Sequence, residues 1–143
     1  MNEEFLNKLT QIQRTLPEVL RRVPEIARVE GLRFVADNFK SQGFETKTGV
    51  YDKWKQKKGR AQKPNLIGEK RGGAMRRSWQ GEAEPNRTVF SSNMIYTGVH
   101  NDGLRAGRGS GFDMPMRRMI GPSDALDKRI ERKLDELMDK TFK

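Results

Sequence analysis

The stretch "AMRRSWQGEAEPNRTVFSSN", residues 74–93, holds two short runs on either side of Glu84-Pro85-Asn86-Arg87. Proline presets the backbone for a turn and asparagine tolerates its tight conformations. Arg77 and Trp79 on one side, and Thr88 and Phe90 on the other, fit extended segments, so the spacing predicts an antiparallel hairpin. With helical patterns on both flanks, that hairpin makes the chain α+β. N-terminal and C-terminal helices are expected to pack on a small antiparallel sheet, with long basic and glycine-rich loops between them.

Upstream, residues 2–41 read as helix. Leu6, Leu9, Ile12, Leu16, Val19, Val23, Ile26 and Val29 step by three or four, which keeps one helical face apolar. Two prolines interrupt the pattern. Thr15-Leu16-Pro17-Glu18 has the form of a capping box with proline early in the following helix. The expectation is therefore a short helix, a restart near residue 16, and a kink or second restart at Pro24. The helical region ends by residue 42, with Gly43 as the C-terminal glycine. Residues 43–73 carry little periodicity and many breakers, and "DKWKQKKGRAQKPN" (52–65) sets six Lys/Arg around Trp54. A long basic loop is expected there, of a length that is usually functional.

Downstream of the hairpin region (74–92), "MIYTGVHN" (94–101) fits either a helical turn or a strand. "DGLRAGRGSG" (102–111) has four glycines in ten residues and reads as a loop, extending to residue 113. Gly121-Pro122-Ser123-Asp124 is a stop followed by an N-cap, and Leu126, Ile130, Leu134 and Leu137 mark one face of a helix over 123–142. Asp124 with Lys128, and Glu136 with Lys140, are placed for i,i+4 ion pairs.

The 143 residues fit a single domain. A hydrophobic share of 34% and a mean hydropathy of −0.89 leave a small core. With no cysteine, disulfide frameworks, thiol nucleophiles and Cys-ligated zinc are excluded. The opening Met-Asn-Glu-Glu is acidic where a secretory signal is basic, and no apolar run approaches the roughly 18 residues that span a bilayer. A cytosolic protein with no membrane partner is expected. Lys and Arg outnumber Asp and Glu by 29 to 19. Residues 45–88 hold twelve of the basic and five of the acidic residues, so this third supplies seven of the ten net charges. Such a concentration suits an acidic partner, nucleic acid or protein.

The single histidine, His100, stands beside Asn101 and Asp102. Catalysis needs a nucleophile, an orienting group and a means of stabilising charge, and Asn101-Asp102-Gly103 is first of all a turn sequence. A residue ending a structural element is the better reading. One histidine and scattered carboxylates do not make a metal nuclease, and no cofactor is expected. The glycine-rich segment lacks the spacing of a phosphate-binding loop. The basic stretch is the stronger candidate for contact with a partner or nucleic acid, through Lys53, Trp54, Lys55, Lys57, Lys58, Arg60 and Lys63, together with Arg76 and Arg77. Closely spaced lysines gain when phosphates or carboxylates approach, and Trp54 can stack on a base or anchor in a protein pocket.

The order of "NFKSQGFE", Trp54, "GGAMRRSW" ending in Trp79, "IYTGVHNDG" and "MPMRRMIGPSDAL" resembles the bacteriophage virion morphogenesis or tail completion family, with its Mu-like members. Tyr96, His100 and Gly103 match a Y-A-x-x-H-x-x-G pattern. Met114, Pro115, Arg117 and Gly121 match M-P-x-R-P-F-x-G. The chain departs at Thr97, where alanine is common, and at Arg118 and Met119, where proline and phenylalanine are expected. The resemblance implies a non-enzymatic structural protein at the neck or tail top, made in the cytoplasm of the bacterial host and carried into the virion. It also implies tail or connector proteins as partners, a homo-oligomeric ring, and possible DNA contact. His100 then belongs to a fold or interface motif. The alternative is a small basic nucleic-acid-binding protein using residues 53–77.

Overall fold

The computed structural model describes residues 2–56, 73–107 and 111–142. Its first element, α1 (Glu3–Ser41), runs 39 residues without a break, about 58 Å at 1.5 Å per residue. Asn2 caps it, its side-chain oxygen accepting the Phe5 N–H at 2.9 Å, and Glu3 and Glu4 complement the positive end of the helix dipole. Neither expected restart occurs. The Thr15 hydroxyl donates back to the Gln11 carbonyl at 2.7 Å, and Glu18 pairs with Arg21 at 2.9 Å, so neither acts as a cap. Each internal proline removes one N–H from the ladder. At Pro24 a tertiary contact holds the chain in place, because its carbonyl accepts the Thr88 hydroxyl at 2.6 Å.

The helix stops at Gln42, in a left-handed conformation with φ 57°, one residue before the glycine expected to end it. Gly43 serves a different purpose. A Cβ there would lie 2.9 Å from the Asp52 carbonyl oxygen, because Gly43 opens β1 (Gly43–Lys47), which pairs antiparallel with β2 (Val50–Lys53). The segment expected to be loop from residue 43 thus begins with a hairpin, turning at Gly49 with φ 78°.

A short helix, α2 (Ala74–Arg77), takes Arg77 out of the extended run expected for it. The predicted hairpin follows. β3 (Trp79–Glu84) and β4 (Arg87–Ser92) pair without a slip from Trp79↔Ser92 to Glu84↔Arg87 around Pro85-Asn86. The ambiguous 94–101 segment becomes α3 (Thr97–Asp102). Within the glycine-rich segment, β5 (Arg105–Ala106) and β6 (Phe112–Asp113) form a two-residue ladder where only loop was expected.

The last element, α4 (Asp124–Phe142), is capped as expected. Ser123 Oγ accepts the N–H groups of Ala125 and Leu126 at 3.1 and 3.3 Å while donating to the Glu45 carbonyl at 2.6 Å. One hydroxyl therefore starts α4 and fastens it to β1. Its surface ion pairs differ from those expected: Lys128 reaches Glu131 at 3.6 Å, and Glu136 pairs with Lys133 at 3.3 Å.

The α+β class expected from the sequence holds, with the strands divided among two-stranded antiparallel ladders. The second half of α1 is the axis of the packing. On one side α4 runs antiparallel to it, Arg129 meeting Asp37 at 2.7 Å near one end and Leu137 and Lys140 facing Arg22 and Ile26 near the other. On another side lies the β3–β4 hairpin, so close that a Cβ on Gly31 would fall 2.2 Å from the Phe90 ring. Two buried clusters form around this axis. Phe34, Phe44 and Ala125 join α1, β1 and α4, with the two rings edge to face at 5.5 Å. Val35, Phe39, Trp54, Met75 and Met119 make the other.

Candidate functional site: the motif corner

The resemblance motifs meet at one corner, where the end of α1, the chain after β2, α3 and residues 114–123 converge. Its anchor is Asn38, fully buried on α1. The amide nitrogen donates to the Met119 carbonyl at 3.0 Å, and the amide oxygen accepts the Glu45 N–H at 3.1 Å. One side chain thereby holds two segments that lie 7 and 81 residues away.

Trp54, expected in a basic loop as a ring able to stack on a base or anchor in a partner, is instead 5% exposed. Its ring meets Phe39 edge to face at 5.3 Å, and its indole N–H donates to the Arg118 carbonyl at 2.9 Å. A ring spent in this way is not free to stack on a base or enter a partner's pocket. The main chain helps to place it: Trp54 N–H bonds to the Gln42 carbonyl at 2.8 Å, where the chain leaving β2 meets the end of α1.

Arg117 is also buried, its Nε donating to the Lys55 carbonyl at 3.0 Å. Burial pushes its pKa below the ordinary arginine value. Its backbone N–H bonds to the His100 carbonyl at 2.8 Å, so the second motif docks on the first through the main chain. Asn101 completes the join, its side-chain oxygen accepting the N–H groups of Met119 and Ile120 at 2.7 and 3.1 Å. Gly103 ends α3 with φ 66°, and a Cβ there would lie 2.9 Å from that of Met116. Only glycine meets both conditions at that position.

His100 sits half-buried in this corner. Its Nδ1 has no hydrogen-bond partner among the described residues. Burial, and then the charge of Arg117, lower its pKa from the ordinary value and favour the neutral imidazole. The neighbouring Asp102 carboxylate accepts instead from the Asn101 amide at 2.9 Å. Among the described residues no group of three His, Asp or Glu side chains is placed to hold a metal ion.

The departures from the family pattern fit the packing. Thr97 is buried, and its hydroxyl joins a chain of hydroxyls with Ser92 at 2.9 Å and Ser78 at 2.6 Å from Ser92. Met119 is fully buried in the place of a phenylalanine, with the Trp79 indole N–H 3.4 Å from its sulfur. Arg118 offers its carbonyl to Trp54 and lays its guanidinium 5.5 Å from the Phe44 ring centre. Among the remaining motif residues, Tyr96 is exposed, Pro115 half-buried, and Gly121 packs against the Arg118 side chain.

The sequence model of the phage virion morphogenesis family matches residues 3–139. The chain belongs to that family. No curated protein and no solved structure matches it. Family membership gives the chain a role in building phage particles, in company with other virion proteins. Among the described residues, no helix is long and apolar enough to cross a membrane.

The residues expected to touch partners divide into three groups in this morphogenesis protein. Trp54 is part of the core. Lys53, Lys55, Arg76 and Arg77 are exposed, with the Lys53 ammonium donating to the Ser41 carbonyl at 2.8 Å. Lys57, Lys58, Arg60 and Lys63 lie outside the described residues. Sequence reading missed the bonds of Asn38, Asn101 and Arg129, and the tie from Ser123 to Glu45, all to partners distant in the chain. Arg129 bridges Asp37 at 2.7 Å and Glu45 at 3.1 Å. Burial works against its charge, but the two hydrogen-bonded carboxylates outweigh it and raise its pKa.

Proposed function

We propose that this chain is a tail completion or neck protein, a non-enzymatic subunit acting at the head–tail junction or the tail terminus. The observation that carries the reading is how the motif residues are spent. Asn101, Arg117 and Gly103 bond or pack against the chain itself, Trp54 fills the core, and among the described residues no nucleophile or carboxylate bonds the His100 Nδ1. A corner built as an internal clamp supports a structural role, since catalysis needs groups aimed at a substrate. Its partners are other tail or connector proteins, with a homo-oligomeric ring as the assembled form.

The exposed cations Lys55, Arg76 and Arg77 are the proposed contacts to DNA or to an acidic neighbour. Trp54 and Met75 share one core cluster, so these cations border the same part of the body. The burial of Trp54 weighs against an independent nucleic-acid-binding protein, because the aromatic such a site would stack on is already packed. Assembly takes place in the host cytoplasm in this reading.

The test is electron microscopy of lysates from a phage or prophage carrying the gene, with and without its deletion. Filled heads lying apart from tails, or tails of abnormal length, are expected on deletion. Intact particles in normal number would end the proposal.

A further inference from the structure

The first half of α1 carries an apolar face that stands exposed, with no other described element packed over it. Phe5, Leu9, Ile12, Leu16, Val19, Val23 and Ile26 alternate steps of four and three, the spacing of a helix seam. From Val19 onward that seam enters the body, Val19 itself being 3% exposed. Before it the seam is bare: Phe5, Leu6, Leu9, Ile12 and Leu16 are exposed, as is Leu20 beside it, at 56%. The far end of α4 reaches only to the neighbourhood of Arg22, where Lys140 lines the same groove. The uncovered face is thus the straight continuation of one that α4 already seals.

We infer that this face pairs antiparallel with the same face of a second copy of the chain, about a two-fold axis near Ile12 and Gln13. The order of residues supports that occupant. Glu3-Glu4-Phe5 at one end is mirrored by Leu20-Arg21-Arg22 at the other, and Leu9-Thr10 by Thr15-Leu16. Reversing one copy therefore sets apolar residues against apolar residues and the acidic first turn beside the arginine pair. A parallel copy would bring Glu3 and Glu4 against themselves. Residues 3–22 hold four basic and three acidic side chains, so this arm is nearly neutral in a chain of formal charge +10. Two such arms approach without the repulsion that the rest of the surface imposes.

Six half-exposed apolar side chains present ~500 Å² per copy, hence ~1,000 Å² for the pair, the lower edge of specific interfaces. A concentration-dependent dimer follows. An isologous contact of this kind closes on itself, so it is separate from any head-to-tail contact around a ring and joins two chains or two rings. It does not depend on the proposed place in the particle, and purified protein tests it.

The chain has no cysteine, so a single introduced one reports the contact. Oxidation is expected to cross-link Gln13→Cys to its own copy at the axis. Phe5→Cys should not cross-link to itself, because antiparallel arms hold the two sites about 22 Å apart along the axis, but it should cross-link when mixed with Leu20→Cys. Light scattering on the unaltered chain should give a mass that rises with concentration. Leu9→Glu with Leu16→Glu should halve that mass, whether of a dimer or of paired rings, and leave the circular dichroism of the folded chain unchanged. The inference falls if the unaltered chain stays at one-chain mass with Gln13→Cys unlinked. It falls equally if Phe5→Cys links to itself, which marks a parallel pair, or if the double glutamate variant keeps the full assembly.

Discussion

The two halves of α1 follow one periodicity and meet opposite fates. From Pro24 to Phe39 the apolar face is sealed by α4, β1 and the β3–β4 hairpin, and Phe34, Val35 and Phe39 are at most 1% exposed. From Phe5 to Leu16 the same kind of face is bare. Helical periodicity says which side of a helix seeks cover; it does not say whose residues provide it. In the body the cover comes from residues that follow later in the chain. In the arm no later segment among the described residues reaches back far enough.

That contrast sets the largest expected effect. Phe34→Ala removes a fully buried ring that Phe44 and the Arg129 guanidinium both contact, and should cost about 4 kcal/mol in urea unfolding. Leu9→Ala, in the arm, should move the same transition by less than about 0.5 kcal/mol at dilute protein. Equal losses at the two sites would mean that the arm is packed against its own chain and that the comparison is mistaken.

A smaller effect separates apolar sealing from polar fastening inside the body. Asn38→Leu keeps roughly the volume but strands the Met119 carbonyl and the Glu45 N–H, two buried groups that lose their partners together. The expected cost is about 3 kcal/mol, since each orphaned group loses ~1–3. The loss should also loosen residues 114–123, read as faster amide exchange at Met119 and Ile120. Slow exchange there in the variant would show that Asn101 alone holds the segment.

These same residues mark where the sequence was legible. The β3–β4 hairpin and the Ser123 cap were readable because their causes are local: Pro85-Asn86 makes a turn among its own neighbours, and Ser123 bonds the N–H groups two and three residues on. The β1–β2 hairpin was missed because its strands of five and four residues carry Lys47, Asp52 and Lys53, and only Gly49 marks the turn. The restart expected near residue 16 did not occur, Thr15 bonding back to the Gln11 carbonyl in place of capping, and at Pro24 the helix runs on where Thr88 holds its carbonyl. Trp54 was misplaced because its fate depends on a carbonyl 64 residues away. Tyr96, His100 and Gly103 were named from the resemblance, whereas the bonds from this stretch to Met119 and Ile120 are made by Asn101, which the motif does not mark.

The smallest effect concerns His100, the histidine of the motif corner. Burial and then the Arg117 charge hold its folded-state pKa below the ordinary value, which the unfolded chain retains at about 6.5. The unfolded state therefore binds the proton more readily. The stability associated with a neutral His100 is present above pH 6.5 and is lost as the pH falls toward the lowered folded-state value. His100→Gln cannot take up that proton, so the gap in urea midpoint between the original chain and the variant should shrink or change sign as the pH drops from 7.5 to 5. Carboxylates also titrate toward the lower end, but they do so in both proteins and cancel in the difference. Because the imidazole is only half-buried and solvent screens its charge, the change should be the smallest of the three. A gap that does not vary with pH would mean that protonated His100 is accommodated in the corner.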